Sequence, residues 1–146
     1  MSHPVINALQ EQVECYRLLA KLAELQHLHV QRNQTEELLD VLQRRQHVLD
    51  QINRHELVIG PAKRRWGEFV KAMPPESRER GEKLLDEARR LLREITTSDQ
   101  NDVLVLQQRK LNIGRQINQT TAAKQVNRTY ATAAYGTRAA RMDVSR

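Results

Sequence analysis

The sequence predicts an all-α protein, an antiparallel helical bundle or a long helical hairpin of coiled-coil character. Apolar residues recur every three or four positions over long stretches, which is the period of one helix face. Aromatic residues make up only 3% of the chain and glycines number five, so the frequent turns of a sandwich or barrel are not expected. At 146 residues, the chain has the length of one ordinary domain.

The first predicted helix covers residues 5–30. Its apolar positions alternate between steps of four and three, and further leucines widen the stripe. The members are Leu9, Val13, Tyr16, Ala20, Ala23, His27 and Val30, widened by Leu18, Leu19, Leu22, Leu25 and Leu28. A face this wide packs against more than one neighbour or a broad one. The stripe loses phase at residues 32–35, where we expect a break with Asn33 as N-cap and Glu36 reaching back to it.

The second predicted helix runs from Glu36 to about Leu57. Its pattern predicts that Leu38, Leu39, Leu42, Leu49 and Ile52 point inward, flanked by Val41 and Val48, and that Arg44, Arg45, His47, Asp50 and Arg54 fill the outer face. We expect the helix to end at residues 58–61, because Gly60 permits a reversed backbone and Pro61 lacks the donor needed to continue. A short helical segment across the hairpin end is predicted next, with Trp66, Phe69, Val70 and Met73 at helical spacing.

The third long stretch runs from Pro74 to Ile117. Between Gly81 and Ile95 the apolar spacing is close to a heptad and predicts a core helix. Asp99 and Asp102 lie on the same helix face as that stripe, where unpaired carboxylates are costly to bury. We therefore expect residues 96–102 to turn, kink or lie exposed, and the part from residue 103 onward to form the stem of a partner-binding arm.

Charge divides the chain unevenly. Residues 1–106 hold 16 Lys and Arg against 17 Asp and Glu, whereas residues 107–146 hold 8 against 1. We divide the chain into a helical domain, 1–117, and a basic arm rich in Ala, Thr and Asn, 118–146. The arm is expected to be flexible when free and helical only when a partner covers it, because its few apolar groups cannot offset an ordering entropy of about 1–2 kcal/mol per residue. Gly136 should end any helix there.

No arrangement of residues typical of an enzyme, a cofactor site or a metal site occurs. Cys15 has no arranged base, the histidines lack ligand spacing, and there is no glycine-rich phosphate loop. We therefore expect a protein that binds and does not catalyse. No apolar run reaches about 18 residues and no secretory signal is recognisable, so the expected location is cytoplasmic, without membrane insertion.

Several segments occur in a recognisable order. A leucine-rich first helix and a polar break precede a second helix that reads Glu37-Leu-Leu-Asp-Val-Leu-Gln-Arg-Arg-Gln-His-Val-Leu-Asp-Gln-Ile52. The later parts are Arg65-Trp66, the helix start Met73-Pro-Pro-Glu-Ser-Arg78, the run Leu84-Leu-Asp-Glu-Ala-Arg-Arg-Leu-Leu92 and a tail reaching Ala134-Tyr135-Gly136. In this order the segments resemble flagellar export chaperones of the FlgN type and the related FliT-like group, over nearly the whole chain.

The resemblance implies a small cytosolic helical protein that binds hook-filament junction proteins and keeps them soluble for the type III export apparatus. Members of that family take their substrate on the C-terminal helical region, which corresponds to residues 106–135. The contact candidates are therefore Leu106, Leu111, Ile113, Ile117, Val126, Tyr130 and Tyr135. The tail is more basic and richer in Asn and Thr than the family pattern, which leaves the identity of the partner open.

Three alternatives stay open at this point. The basic tail, with Tyr130 and Tyr135 between its cations, is compatible with nucleic-acid binding, although no helix-turn-helix, zinc finger or sheet platform accompanies it. The wide face of the first helix is compatible with a structural coiled coil that self-associates. Leu111, Ile113 and Ile117 are also compatible with the last turns of the bundle core.

Overall fold

A computed structural model describes residues 3–135 of the chain, with side chains described through residue 119. Four helices follow one another: α1 (Pro4–Gln31), α2 (Thr35–Arg64), α3 (Trp66–Lys71) and α4 (Pro75–Tyr135). No strand occurs in this range, so the predicted all-α class is confirmed. None of the described helices combines the length and the apolar character needed to cross a membrane.

Side-chain contacts show the directions of the long helices. Gln12 of α1 contacts Glu56 of α2, and Gln26 further along α1 contacts Arg45, so α1 and α2 run antiparallel. Arg17 of α1 contacts Glu87 of α4, and later residues of α1 contact later residues of α4. The long helices therefore run up, down and up, and the predicted antiparallel bundle is confirmed.

The described residues up to 105 form one compact unit, and those from 106 onward belong to a second. The core of the first unit combines buried side chains of α1, α2 and the beginning of α4. From α1 come Ile6, Ala8, Leu9, Val13, Tyr16, Leu19, Leu22 and Ala23, and from α4 come Leu84, Leu85, Ala88, Leu91 and Ile95. These positions confirm the apolar face of the first helix and the predicted core segment between Gly81 and Ile95. Leu18 and Leu25, which were predicted to widen the face of the first helix, are exposed instead.

The turn between α1 and α2 lies where the break was predicted, but the predicted cap is wrong. Asn33 adopts a left-handed conformation with φ of 56°, which asparagine tolerates better than most residues. The residue before α2 is Gln34, and its side chain makes no capping hydrogen bond. It lies instead 2.7 Å from Nδ1 of His29. Glu36 remains favourable in the first turn because a carboxylate complements the helix dipole.

The inward face of α2 differs from the prediction. Its fully buried residues are Val41, Val48, Ile52 and Ile59, so Ile52 lies inside as predicted, and Leu49 packs partly buried against the core. Two of the leucines expected inside are exposed instead. Leu39 and Leu42 are 56% and 44% exposed. The predicted end at residues 58–61 is also wrong, since α2 passes through Pro61 and ends at Arg64. Ile59 packs in the core, and this packing holds the final turns of the helix.

Helix α3 confirms the predicted short segment across the hairpin end. Its Trp66 and Phe69 rings lie 5.4 Å apart, and Phe69 meets the ring of His3 edge to face. Gly81 of α4 is buried where these elements meet. A Cβ atom added to Gly81 would lie 2.9 Å from Cδ1 of Ile6 and 3.1 Å from the Trp66 ring. A glycine is thus required for the close approach of α1 and α3 to α4.

Replacing Gly81 by Ala is expected to lower the free energy of unfolding by about 1 kcal/mol. The helix propensity of Ala favours the change by at most about 1 kcal/mol, but the added methyl overpacks a buried contact at a cost of about 1–3 kcal/mol. Gly67→Ala is the matched control, because nothing lies within 4 Å of the added Cβ. Urea denaturation distinguishes the two, and equal or higher stability of the Gly81 variant would contradict the close packing.

Candidate functional site

A buried polar cluster joins the three long helices at the end of the bundle near the α1–α2 turn. It consists of Gln26 and His27 from α1, Arg45 from α2, and Asp99 and Asp102 from α4. Both terminal nitrogens of Arg45 donate to the carboxylate of Asp99 at 2.7 Å. One of them also donates to Oε1 of Gln26. This bidentate pair fixes α2 against α4.

Asp102 is the most deeply buried charged group of this cluster, with 1% exposure. Nε2 of Gln26 donates to it at 2.9 Å, and Nδ1 of His27 lies 2.7 Å from its other oxygen. The same Gln26 amide is 3.3 Å from Asp99. The predicted turn within residues 96–102 is therefore wrong, because α4 continues through them, and Asp102 is buried where exposure was expected. Helix α4 continues because partners from two other helices compensate the cost of burying the carboxylates.

Arg45 was predicted on the outer face of α2, and this prediction is also wrong. Its side chain is only 12% exposed. The sequence held a signal for this position, because Arg45 lies four residues after Val41 and three before Val48, on the face those valines define. An arginine between buried valines requires an acceptor on a neighbouring helix.

A second polar contact ties α1 to α2 near the other end of the bundle. Gln12 is completely buried, and its Nε2 donates to the carbonyl oxygen of Ile52 at 3.1 Å and to Glu56 at 2.9 Å. Burial alone would raise the pKa of Glu56. Hydrogen bonds from Gln12 and Lys63, with the charges of Lys63 and Arg64, outweigh burial and lower the pKa. Glu56 is therefore a carboxylate near neutral pH and holds the last turns of α2.

Arg17 and Glu87 form an ion pair between α1 and α4. Nε and Nη2 of Arg17 donate to the two carboxylate oxygens of Glu87 at 2.5 and 2.7 Å. These hydrogen bonds lower the pKa of Glu87 below its ordinary value of 4.5, against a smaller opposing effect of burial. The pair therefore stabilises the fold fully above that ordinary value and loses its effect as the pH falls through the lowered pKa of the folded state.

Arg17→Gln is expected to cost about 0.5 kcal/mol near neutral pH, as is usual for a partly exposed pair. The difference between variant and parent should disappear in acid, once Glu87 is protonated in both folded proteins. Urea denaturation of the two proteins at neutral and acid pH measures it. A difference that is the same at both pH values would contradict the pairing.

The predicted contact residues of α4 are exposed wherever their side chains are described. Leu106, Leu111, Ile113 and Ile117 are 41%, 57%, 55% and 58% exposed. The alternative that the last three form the final turns of the core is therefore wrong. Val126, Tyr130 and Tyr135 lie on the backbone of α4, but their side chains lie outside the described residues.

These exposed side chains fall on two faces of α4. Leu106, Ile113 and Ile117 are separated by seven and four residues, so they form one row, which we call the α4 row. Leu111 lies two residues before Ile113, or about 160° around the helix when each residue turns by about 100°. Helical geometry therefore groups three of the four predicted residues and places Leu111 on the far side.

The predicted C-terminal arm is part of the same helix. Helix α4 continues without a break to Tyr135, directly before Gly136, and the remaining residues, 136–146, lie outside the described range. The first compact unit ends at residue 105, twelve residues before the predicted domain boundary at residue 117. The expectation that residues 118–135 are helical only when a partner covers them stays a prediction.

Comparison with protein-family models, with curated proteins and with solved structures finds no match to this chain. In the part of the chain that the structure describes, no group of three or more His, Cys, Asp or Glu residues could hold a metal ion. Burial, reinforced by the charges of Glu14 and Glu11, raises the pKa of Cys15, so its thiol is protonated near neutral pH. The feature best suited to function is the exposed α4 row.

Proposed function

We propose that this protein is a cytoplasmic export chaperone that binds hook-filament junction proteins and keeps them soluble for the flagellar type III export apparatus. The observation that supports this most is the α4 row. Three aliphatic side chains stand exposed on one face of a helix whose first half is anchored in a bundle. A chaperone of this kind acts by binding alone and needs no catalytic group.

The spacing of the α4 row suits a helical partner. Separations of seven and four residues are those of a coiled-coil seam, in which side chains of one helix insert between those of another. Complete burial of three such side chains contributes about 1.5–3 kcal/mol each, before the costs of association and ordering. This amount favours reversible binding, which a chaperone needs in order to release its cargo.

Polar contacts hold the first part of α4 in the bundle. The Arg45–Asp99 pair and the Asp102 contacts anchor α4 to α1 and α2 through residue 102. Polar contacts of this kind specify one register, because sliding α4 by a turn would leave buried charges without partners. The row begins four residues after Asp102 in the sequence.

Calorimetric titration of the full chain with C-terminal helical segments of hook-filament junction proteins from the same genome tests this function. We expect binding by the parent protein and at least about a tenfold loss in the triple variant Leu106→Ala, Ile113→Ala, Ile117→Ala, which corresponds to about 1.4 kcal/mol. Absence of binding by the parent protein would reject the proposed function.

Nucleic-acid binding is the second candidate, favoured by the 8 basic against 1 acidic residues in positions 107–146. Its affinity should fall steeply with salt, because phosphate contacts release counterions. No binding to duplex or single-stranded nucleic acid at low salt would reject it.

Self-association as a structural coiled coil is a third candidate. Leu18 and Leu25 of α1 are exposed and lie seven residues apart on one face, outside the bundle core. Light scattering over a range of concentrations decides this candidate, since a constant mass equal to that of one chain would reject it.

A further inference from the structure

We infer that the segment that covers the α4 row is an acidic amphipathic helix supplied by a different protein. The inference rests on the proposed binding role of the row and adds the charge of the partner. The row makes the apolar contact with the partner, and the basic side chains beside it favour a partner with acidic residues.

The charges beside the row are all of one sign. Residues 103–119 contain Arg109, Lys110 and Arg115 and no Asp or Glu. Lys110 lies four residues after Leu106 and three before Ile113, so it stands between these two residues on the same side of the helix. Arg109 lies four residues before Ile113 and borders the row on its other side. The row therefore has a basic side chain along each edge.

A helix that packs on such a row places its own edge residues next to these cations. In coiled coils the edge positions flanking the seam select the partner by charge, and like charges facing each other are unfavourable. The positive charges of Arg109 and Lys110 would attract acidic edge residues on the partner and repel basic ones. The net charge of +7 for residues 107–146, from 8 basic and 1 acidic residues, adds a long-range attraction for an acidic partner.

The same charges disfavour the other occupants. Two copies of this segment would bring identical cations together, so a second copy of the row is a poor partner. A helix that lies on a membrane surface usually has a broad apolar face with Trp or Phe, but this row is narrow and residues 103–119 contain no aromatic residue. Aliphatic side chains also give no stacking surface for nucleic-acid bases.

Two synthetic helical peptides with the same leucine seam test the inference. One peptide has Glu at every edge position and the other has Lys, and each is titrated into the full chain by fluorescence anisotropy. We expect the acidic peptide to bind at least about tenfold more tightly, with a difference that shrinks as salt screens the charges. Equal binding of the two peptides, tighter binding of the basic one, or no binding of either would overturn the inference.

Variants locate the binding on the row. The triple variant Leu106→Ala, Ile113→Ala, Ile117→Ala should lose the acidic peptide, while Leu111→Ala is the matched control, because Leu111 and Ile113 are 57% and 55% exposed on different faces. Alanine favours helix, so both variants keep α4 helical. Lys110→Glu should weaken the acidic peptide about threefold, by about 0.6 kcal/mol, and strengthen the basic one. Equal losses in the triple variant and the control would overturn the inference.

Competition experiments distinguish an acidic helix from the other possible ligands of the row. Their outcomes do not depend on the proposed flagellar function. Anionic lipid vesicles or single-stranded RNA that displace the acidic peptide from the parent, and fail to bind the triple variant, would show that the row serves a different class of ligand and overturn the inference. If the acidic peptide binds the row but hook-filament junction segments do not, the proposed function fails and the inference stands. If those segments bind while the two peptides bind alike, only the inference fails.

Discussion

Arg45→Met is expected to lower the free energy of unfolding by about 2–3 kcal/mol. Methionine fills much of the same volume, but Asp99, three residues before Asp102 on α4, then lacks the cation that compensates it. Removing one partner of a buried pair costs about 3–5 kcal/mol, and the smaller value is expected here because Asp99 is 33% exposed. Urea denaturation monitored by circular dichroism measures the loss.

The chain offers a matched control in the neighbouring residue. Arg44 pairs with Asp40 at 3.1 Å on the outer surface of α2, so Arg44→Met should change stability by less than about 0.5 kcal/mol. Adding Asp99→Asn to Arg45→Met removes the uncompensated charge and should recover at least about 1 kcal/mol. Equal effects of the Arg44 and Arg45 variants would show that the cluster is no more than a surface ion pair.

Ile59→Ala is expected to cost about 3 kcal/mol. Ile59 is fully buried in the part of α2 that continues past Gly60 and Pro61, and truncation of a buried isoleucine loses the transfer free energy and leaves a cavity. The midpoint of urea denaturation should fall accordingly. This variant tests whether the end of α2 is part of the core or only an extension of the helix.

Val58→Ala is the control for that variant, since the preceding side chain is half-exposed and should change stability by less than about 0.5 kcal/mol. Comparable small effects of both variants would mean that α2 ends before Pro61 in solution, as the residue types alone suggest. A large effect confined to Ile59 supports the continuous helix.

The parts of the fold that sequence reasoning predicted correctly depend on local spacing. Most of the apolar stripe of α1 and most of the heptad-like run from Gly81 to Ile95 are buried as expected, because each stripe is unbroken over several turns. Leu18, Leu25 and Leu92, at the edges of these stripes, are exposed. The inward face of α2 was not predictable in the same way. Apolar residues occupy so much of its circumference that spacing alone allows either Val41 and Val48 or the leucines inside, and the neighbouring helices decide.

The polar cluster could not be predicted because its members come from separate helices. Arg45 contacts both Gln26 and Asp99, although 19 residues separate it from Gln26 and 54 separate it from Asp99 in the sequence. Sequence reasoning recognised that two carboxylates lie on the core phase of α4, but not that a buried arginine on α2 compensates one of them. A turn, a kink or exposure of residues 96–102 was therefore inferred, whereas the helix continues and Asp102 is buried.

The candidate site was predictable in position but not in its geometry. The sequence indicated residues 106–135 because the apolar stripe continues past the bundle into a basic segment. Because this stretch is one helix, Leu111 lies on a different face from Leu106, Ile113 and Ile117. The four predicted residues whose side chains are described thus divide into a row of three and a control residue on another face.

Amide hydrogen exchange in the full chain, with and without a hook-filament junction segment from the same genome, tests the central claim most directly. Binding on the α4 row should increase protection within residues 103–119, with little change among the core residues of α1 and α2, because buried helical amides in the bundle are already protected. Protection that appears instead along α1 or α2, with residues 103–119 unchanged, would contradict the assignment of the α4 row as the binding surface.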